Sequence, residues 1–123
     1  MAITFNTDRL QGLEGTAVNG VYARIQSVTV KKYDATTDPD VATCFRLMYD
    51  VVLHATAVKR NADGEYPEWG NRLRSREIDH FTATVTTDQM NAADANSYTL
   101  AYSDLKTKLA ADDPPIATSI ADA

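Results

Sequence analysis

Thr43-Cys44-Phe45-Arg46-Leu47-Met48-Tyr49-Asp50-Val51-Val52-Leu53-His54-Ala55-Thr56 is the stretch whose reading decides the fold class of this chain. Phe45, Leu47, Tyr49, Val51, Leu53 and Ala55 share one parity, and Cys44, Arg46, Met48, Asp50, Val52 and His54 share the other. A period of two held this long predicts one strand with a buried face and a wetter face. At roughly 3.3 Å per residue it spans about 40 Å, well beyond the usual five or six residues. So long a strand in a small protein predicts a sheet built to be paired or extended.

Working outward, Val21 to Tyr33 reads as the first main strand. Ala23 and Ile25 lie on one parity and Val28 and Val30 on the other. A parity switch inside one strand requires an extra residue, so a bulge or bend is expected near Gln26-Ser27. Asp34 to Asp40 reads as a polar turn, because Pro39 cannot donate to a ladder. Strand, turn and long strand predict an antiparallel hairpin. Residues 57–75 form a polar excursion in which Asp63-Gly64 signals a turn and Pro67 and Gly70 block a regular element. A third strand is expected from about Arg74 to Val85, with Phe81, Ala83 and Val85 on one face. Ile78, His80, Thr82 and Thr84 fall on the other, whose threonines suit a solvated sheet surface.

The chain then changes period. Thr87-Asp88 reads as a first-turn cap, with a short break across Asn91 to Ser97. Tyr98, Ala101, Tyr102, Leu105 and Leu109 follow at helical spacing, and Lys106 and Lys108 complement the macrodipole near the C-terminal end. Asp112-Asp113-Pro114-Pro115 stops the helix. Residues 1–19, with Ile3-Thr4-Phe5 followed by Gly12, Gly15 and Asn19-Gly20, read as an arm or loop rather than core. Such a segment is either a loosely packed lead-in strand or an arm that reaches a neighbouring subunit. The expected organisation is 1–19 as an N-terminal arm or short strand and 20–111 as a β-rich domain closed by a helix at about 97–110. Residues 112–123 complete it as an extended acidic tail. The fold class is α+β, mainly β: an antiparallel sheet, or a small barrel or sandwich, with the C-terminal helix packed on it.

The bulk properties bound the function. The 123 residues suit one domain, which can bury enough surface for a core without staples. Cys44 is the lone cysteine, so no intrachain disulfide forms and a reducing compartment is expected. The formal net charge of -5 argues against general attraction to nucleic acid or anionic membrane. No apolar run is long enough for a transmembrane helix, and the N-terminus lacks a signal-peptide pattern. A soluble protein made in the cytosol is expected.

Candidate chemistry is sparse. Cys44, Asp50, His54 and His80 are the residues closest to a nucleophile and its helpers, but Cys44 and His54 lie roughly 33 Å apart in an extended strand. His80 can approach either across a ladder; the plainer reading is a buried thiol and two sheet-surface imidazoles. Asp34, Asp38 and Asp40 could hold a hard cation, yet lack the central glycine and closing glutamate of a helix-flanked calcium loop. Two histidines and one cysteine do not make a zinc site without carboxylates. No glycine-rich phosphate cradle or nucleophile elbow is present. The expectation is no catalytic residue, no cofactor and no metal. Arg72, Arg74 and Arg76 alternate, so in a strand they project from one face, able to grip a carboxylate-bearing partner or a phosphate. Glu68, Glu77 and Asp79 nearby favour ion pairing between subunits over nucleic acid, and an ordinary solvated edge is the plainer reading. Tyr66 and Trp69 are candidate interface anchors.

Three segments carry a family resemblance: Gly20-Val21-Tyr22-Ala23-Arg24-Ile25-Gln26-Ser27-Val28, Phe45-Arg46-Leu47-Met48-Tyr49-Asp50-Val51-Val52-Leu53, and Ala101-Tyr102-Ser103-Asp104-Leu105-Lys106. Their order resembles small virion structural proteins of tailed bacteriophages, assigned to the tail or baseplate, over residues 20–109. The 57–75 excursion and the acidic tail depart from that pattern. The resemblance implies a non-catalytic subunit present in several copies, bound to other virion proteins, without nucleic acid or membrane. Its place would be the virion, after assembly in the host cytoplasm. The alternatives are a capsid decoration protein, a small-ligand-binding β-barrel, and a hydrolase using Cys44 or His80.

Overall fold

One antiparallel sheet organises the computed structural model, which describes residues 2–33, 44–55, 72–92 and 96–123. Its strands are β1 (Ile3–Thr7), β2 (Val18–Tyr33), β3 (Cys44–His54), β4 (Arg72–Leu73), β5 (His80–Thr86) and β6 (Ala117–Asp122). They lie in the order β4-β3-β2-β1-β6, with β5 also beside β3. Two helices, α1 (Thr87–Met90) and α2 (Ser97–Ala111), complete the elements. The class is α+β and mainly β, as the sequence predicts. Among the described residues the sheet stays open, with β6 at one side and β4 and β5 at the other. Of the two expected forms, it is therefore the sheet and not the barrel.

The long strand and its predicted partner pair antiparallel from Tyr22 opposite His54 to Tyr33 opposite Cys44. The register shifts between Ile25 and Ser27, so Gln26 is the extra residue expected there. The physical effect is to keep one apolar face. Ala23 and Ile25 before the bulge, and Val28 and Val30 after it, stand opposite Leu53, Val51, Tyr49 and Leu47. Beyond the other side of β3, β4 pairs with Leu53 and His54 and β5 with Cys44 to Asp50. Between them the Val51 N–H donates to the Asp79 carbonyl at 2.7 Å.

The third strand is interrupted where the sequence predicted one run from Arg74 to Val85. The Ser75 hydroxyl accepts the N–H groups of Glu77 and Ile78, folding residues 75–78 into a side-chain-stabilised turn. Ile78 leaves its expected place on the solvated face and is buried in the core. Phe81, Ala83 and Val85 do take the inner face, as expected.

Both chain ends are built into the sheet. Of the two forms expected for the first segment, residues 3–7 take the short strand: β1 lies between β2 and β6, with Ile3 and Phe5 buried and Leu10 buried just beyond. Few apolar residues suffice because each is enclosed by flanking strands and the helix. The tail is extended, as expected, but its extension is a strand paired to β1 and not a free segment. The Thr7 hydroxyl fastens the entry to it, donating to the Ile116 carbonyl at 2.7 Å. Asn19-Gly20 is likewise not a loop. Phe5 opposes Val21 and Thr7 opposes Val18, so these two residues form a bulge inside β2. Gly20 has φ +69° there, and its N–H donates to Asn6 Oδ1 at 3.0 Å. A third bulge lies in β6, between the pairs Thr4–Ala121 and Asn6–Thr118, and places Ser119 at φ 53°.

Helix α2 begins where Asn96 caps it, its side chain accepting from the Thr99 N–H. Ala101, Tyr102, Leu105 and Leu109 form the buried stripe that covers the sheet, as the spacing predicts. Tyr98 shares that spacing but is exposed, because it precedes the part of the helix that overlies the strands. The first-turn cap of α1 is Thr86, one residue before the expected Thr87, in a reciprocal capping box with Gln89. The turns expected at 34–40 and 63–64 lie outside the described residues.

The two left-handed bulge positions, Gly20 and Ser119, give opposite expectations. Gly20→Ala puts a Cβ on a φ that L-residues avoid and should lower unfolding stability by about 1 kcal/mol. Ser119→Gly removes the same penalty and should raise it, by up to about 1 kcal/mol after glycine's entropy cost. Urea unfolding of both variants checks the pair.

Candidate functional site

The turn that divides β4 from β5 is fastened at both ends to the 8–17 loop. The Gln11 N–H donates to the Arg74 carbonyl at 2.8 Å. The Arg9 guanidinium meets Glu77 through one nitrogen, at 3.0 and 2.8 Å from the two carboxylate oxygens, and donates to Asp8 at 3.0 Å. These bonds raise the Arg9 pKa above its ordinary value, chiefly through the Glu77 hydrogen bond. Glu77 is thereby committed to Arg9, not to the arginines of its own turn.

That arrangement leaves Arg72, Arg74 and Arg76 around a cavity of about 170 Å³. The floor is Val51, Val52 and Leu53 of β3 with Ile78, and Gln11, Ser75 and Asp79 complete the wall. All three arginines are exposed. Their guanidinium groups make no hydrogen bond or ion pair among the described residues. Against three positive charges the lining carries one carboxylate, Asp79. The expectation that the three project from one strand face is corrected: only Arg72 lies in a strand, because Ser75 turns the chain after Leu73. The structure nonetheless brings them together, through the turn and not through pleat periodicity. A second hollow of about 260 Å³, lined by Arg9, Gln11, Glu14, Arg76 and Glu77, adjoins it through Gln11 and Arg76.

Chemically this is an anion-binding geometry. Guanidinium groups with free N–H forks bind carboxylate or phosphate in pairs of parallel hydrogen bonds. The apolar floor lowers the dielectric on one side, which strengthens each contact relative to open water. Sequence reasoning missed Gln11 and Ser75. Ser75 two and three residues before Glu77 and Ile78 is the only local signal, that of a hydroxyl-capped turn.

The other candidates fall apart or change character. Asp50 and His80 do pair across β3 and β5, with His80 Nδ1 2.7 Å from Asp50 Oδ1. Ser27 donates to the other carboxylate oxygen at 2.8 Å. The carboxylate sits between hydroxyl and imidazole, so the serine is not aimed at a base and no nucleophile is activated. His80 stands opposite Asp50, six residues along β3 from Cys44, or roughly 20 Å, too far for a thiol–imidazole dyad. His54 is not a surface imidazole. It is buried at 1% exposure, accepting from Arg24 Nε at 3.3 Å with the Tyr22 ring 6.3 Å away. Asp34, Asp38 and Asp40, and the anchors Tyr66 and Trp69, lie outside the described residues. Among the described residues no group of three or more His, Cys, Asp or Glu side chains is placed to hold a metal.

A polar seal secures the far side of the sheet. Tyr49 donates to Asp104 Oδ2 at 2.7 Å, and Lys108 pairs with the same carboxylate while donating to the Thr82 carbonyl at 2.6 Å. Burial, then the Asp104 hydrogen bond, pushes the Tyr49 phenol far above its ordinary range, so it stays protonated and donates to Asp104. Tyr49 stacks on Phe81 with centroids 5.6 Å apart, and the Lys108 ammonium lies 5.9 Å from both rings.

No protein-family model, curated protein or solved structure matches this chain.

Tyr49→Phe removes one donor from Asp104 but leaves Lys108 in place, and should cost about 1 kcal/mol in urea unfolding. Asp50 supplies a pH test. Hydrogen bonds from His80, then Ser27, hold its carboxyl below the ordinary range. Its contribution is therefore complete above the ordinary carboxylate pKa and is lost as pH falls through the lowered value. Half exposed, the pair should stabilise by under about 1 kcal/mol. Asp50→Asn should be less stable than wild type at neutral pH, with the gap closing in acid.

Proposed function

We propose that this protein is a non-catalytic structural subunit of a tailed-phage virion, of the tail or baseplate, bound to neighbouring chains through strand edges. One observation supports the reading above the rest. The β1–β2 pairing covers Val18 to Ala23 only, while β2 continues to Tyr33. β3 runs along one side of its outer half, but among the described residues no strand lies on the other side, where β1 stops. One group there is satisfied: the Ile25 N–H donates to the Tyr102 hydroxyl at 2.8 Å. Beyond it, Gln26, Ser27, Thr29 and Val30 are exposed. A long unpaired edge is a template for an added strand, whose main-chain bonds supply affinity while side-chain pockets supply specificity.

The other edges favour control of that template. On β5 the Lys108 ammonium takes the Thr82 carbonyl, a charge placed where uncontrolled pairing would begin. Lys31 and Lys32 near the tip of β2 bias its partner toward an acidic strand. In the same assembly the arginine-lined pocket offers a charged contact beside the main-chain one. A small-ligand barrel is the weaker reading. Among the described residues the sheet is open, and the hollows lie where loops meet strands and not between two sheet faces. A capsid decoration role uses the same edges on a different part of the particle.

Labelling of intact particles, viewed by electron microscopy, tests the reading. Label on the tail or baseplate is expected; label on the head moves the protein to the decoration role, and its absence from purified particles overturns the proposal. The edge itself is tested by Thr29→Lys/Val30→Lys. This variant should keep the wild-type circular dichroism spectrum yet enter particles at least tenfold less often.

A further inference from the structure

The arginine-lined pocket has a counterpart on the same molecule. Helix α2 ends at Ala111, and Asp112 and Asp113 follow as an exposed turn ahead of Pro114-Pro115. Neither aspartate makes a side-chain hydrogen bond or ion pair among the described residues. Two free carboxylates in adjacent positions, on a segment stiffened by two prolines, form a projecting acidic knob. Three guanidinium groups without a partner among the described residues, around an apolar-floored hollow, form its receptor.

The fold places knob and receptor at one pole. Pro114 and Pro115 line a hollow with Thr7 and Asp8 at the start of the 8–17 loop. The same loop is fastened to the arginine turn through Arg9–Glu77 and Gln11–Arg74. Because knob and receptor share a pole, two copies facing each other about a two-fold axis satisfy both at once. Such a contact is self-complementary and closes on itself. In a head-to-tail arrangement, the two features would be expected at opposite poles.

Resting on the structural-subunit reading, we infer that Arg72, Arg74 and Arg76 receive the Asp112-Asp113 turn of a second copy of this chain, reciprocally, in a two-fold pair. Carboxylates are the fitting ligand: they are planar, match the guanidinium fork, and are supplied by the chain itself. The overall net charge of -5 makes like copies repel at long range, so pairing depends on this local complementarity. Asp79 in the pocket wall sets the register by repelling an acidic group that enters too far.

Charge exchange tests the contact. One variant carries Arg72→Glu, Arg74→Glu and Arg76→Glu; the other carries Asp112→Lys and Asp113→Lys. By native mass spectrometry and sedimentation, wild type should be a dimer whose dissociation constant rises at least tenfold between low and high salt. Each variant alone should be monomeric, and an equimolar mixture should form a one-to-one heterodimer, since both contacts are then complementary again. Circular dichroism confirms that each variant folds. Should the glutamate variant fail to fold, the same positions changed to glutamine must still abolish the wild-type dimer. A monomeric wild type, variants that dimerise as wild type does, or a mixture that stays monomeric overturns the inference. A monomer that instead binds inorganic phosphate at the arginines also overturns it, as a site for free anions. Particle incorporation read in parallel separates the two ideas. Charge variants that still enter virions normally refute the pairing alone, whereas wild type missing from virions refutes the structural role.

Discussion

Tyr102 of α2 bonds to the backbone of β2 where β1 ends, and much of the architecture follows from that contact. β1 is five residues long and β2 sixteen, so the inner sheet must lose a strand partway along its longest element. At that point the Ile25 N–H points into the space β1 has vacated, and a buried backbone donor left there would cost a few kcal/mol. The Tyr102 hydroxyl fills the vacancy at 2.8 Å. The same ring belongs to the helix's buried stripe, so one side chain both docks the helix and ends the ladder. One residue later Gln26 bulges, which lets the strand bend away while keeping its apolar face inward.

From this contact the sheet divides into an enclosed half and an open half. The enclosed half, β6-β1-β2 with the body of α2, contains the buried stripe and both chain ends. The open half is the outer stretch of β2 with β3 and β5, guarded by Lys108 at Thr82 and sealed at Tyr49 and Asp104. Helix α2 thus supplies polar groups to two edges, Tyr102 to one and Lys108 to the other. Among the described residues no strand covers the remaining edge of β2, whose main-chain groups are a template for pairing.

The arginine pocket arises from a different constraint. Ser75 turns the chain so that Ile78 enters the core, and the residues between are forced outward. Arg9 then takes the acid of that turn, Glu77, leaving the three neighbouring arginines without a partner among the described residues. Unpaired charge around a partly apolar hollow is poorly compensated by the protein itself and well compensated by a partner's carboxylates. Folding geometry and electrostatics therefore point to the same surface.

The long strand, its antiparallel partner, the bulge at Gln26 and the buried stripe of α2 were legible in the sequence because each is written as a local period. Periods of two and of 3.6 place residues on faces without reference to the rest of the chain. The same logic failed for Ile3, Phe5 and the 117–122 segment, whose burial depends on strands distant in sequence coming to lie beside them. It failed for His54, which has the pattern of a wet-face residue but is enclosed. It also failed for the arginines, whose meeting comes from a serine-capped turn and two latches to a loop more than sixty residues away. Local spacing determined which residues face inward along each element; only tertiary packing decided which elements are neighbours, since burial and charge pairing are set by what closes over a residue and not by its position in the chain.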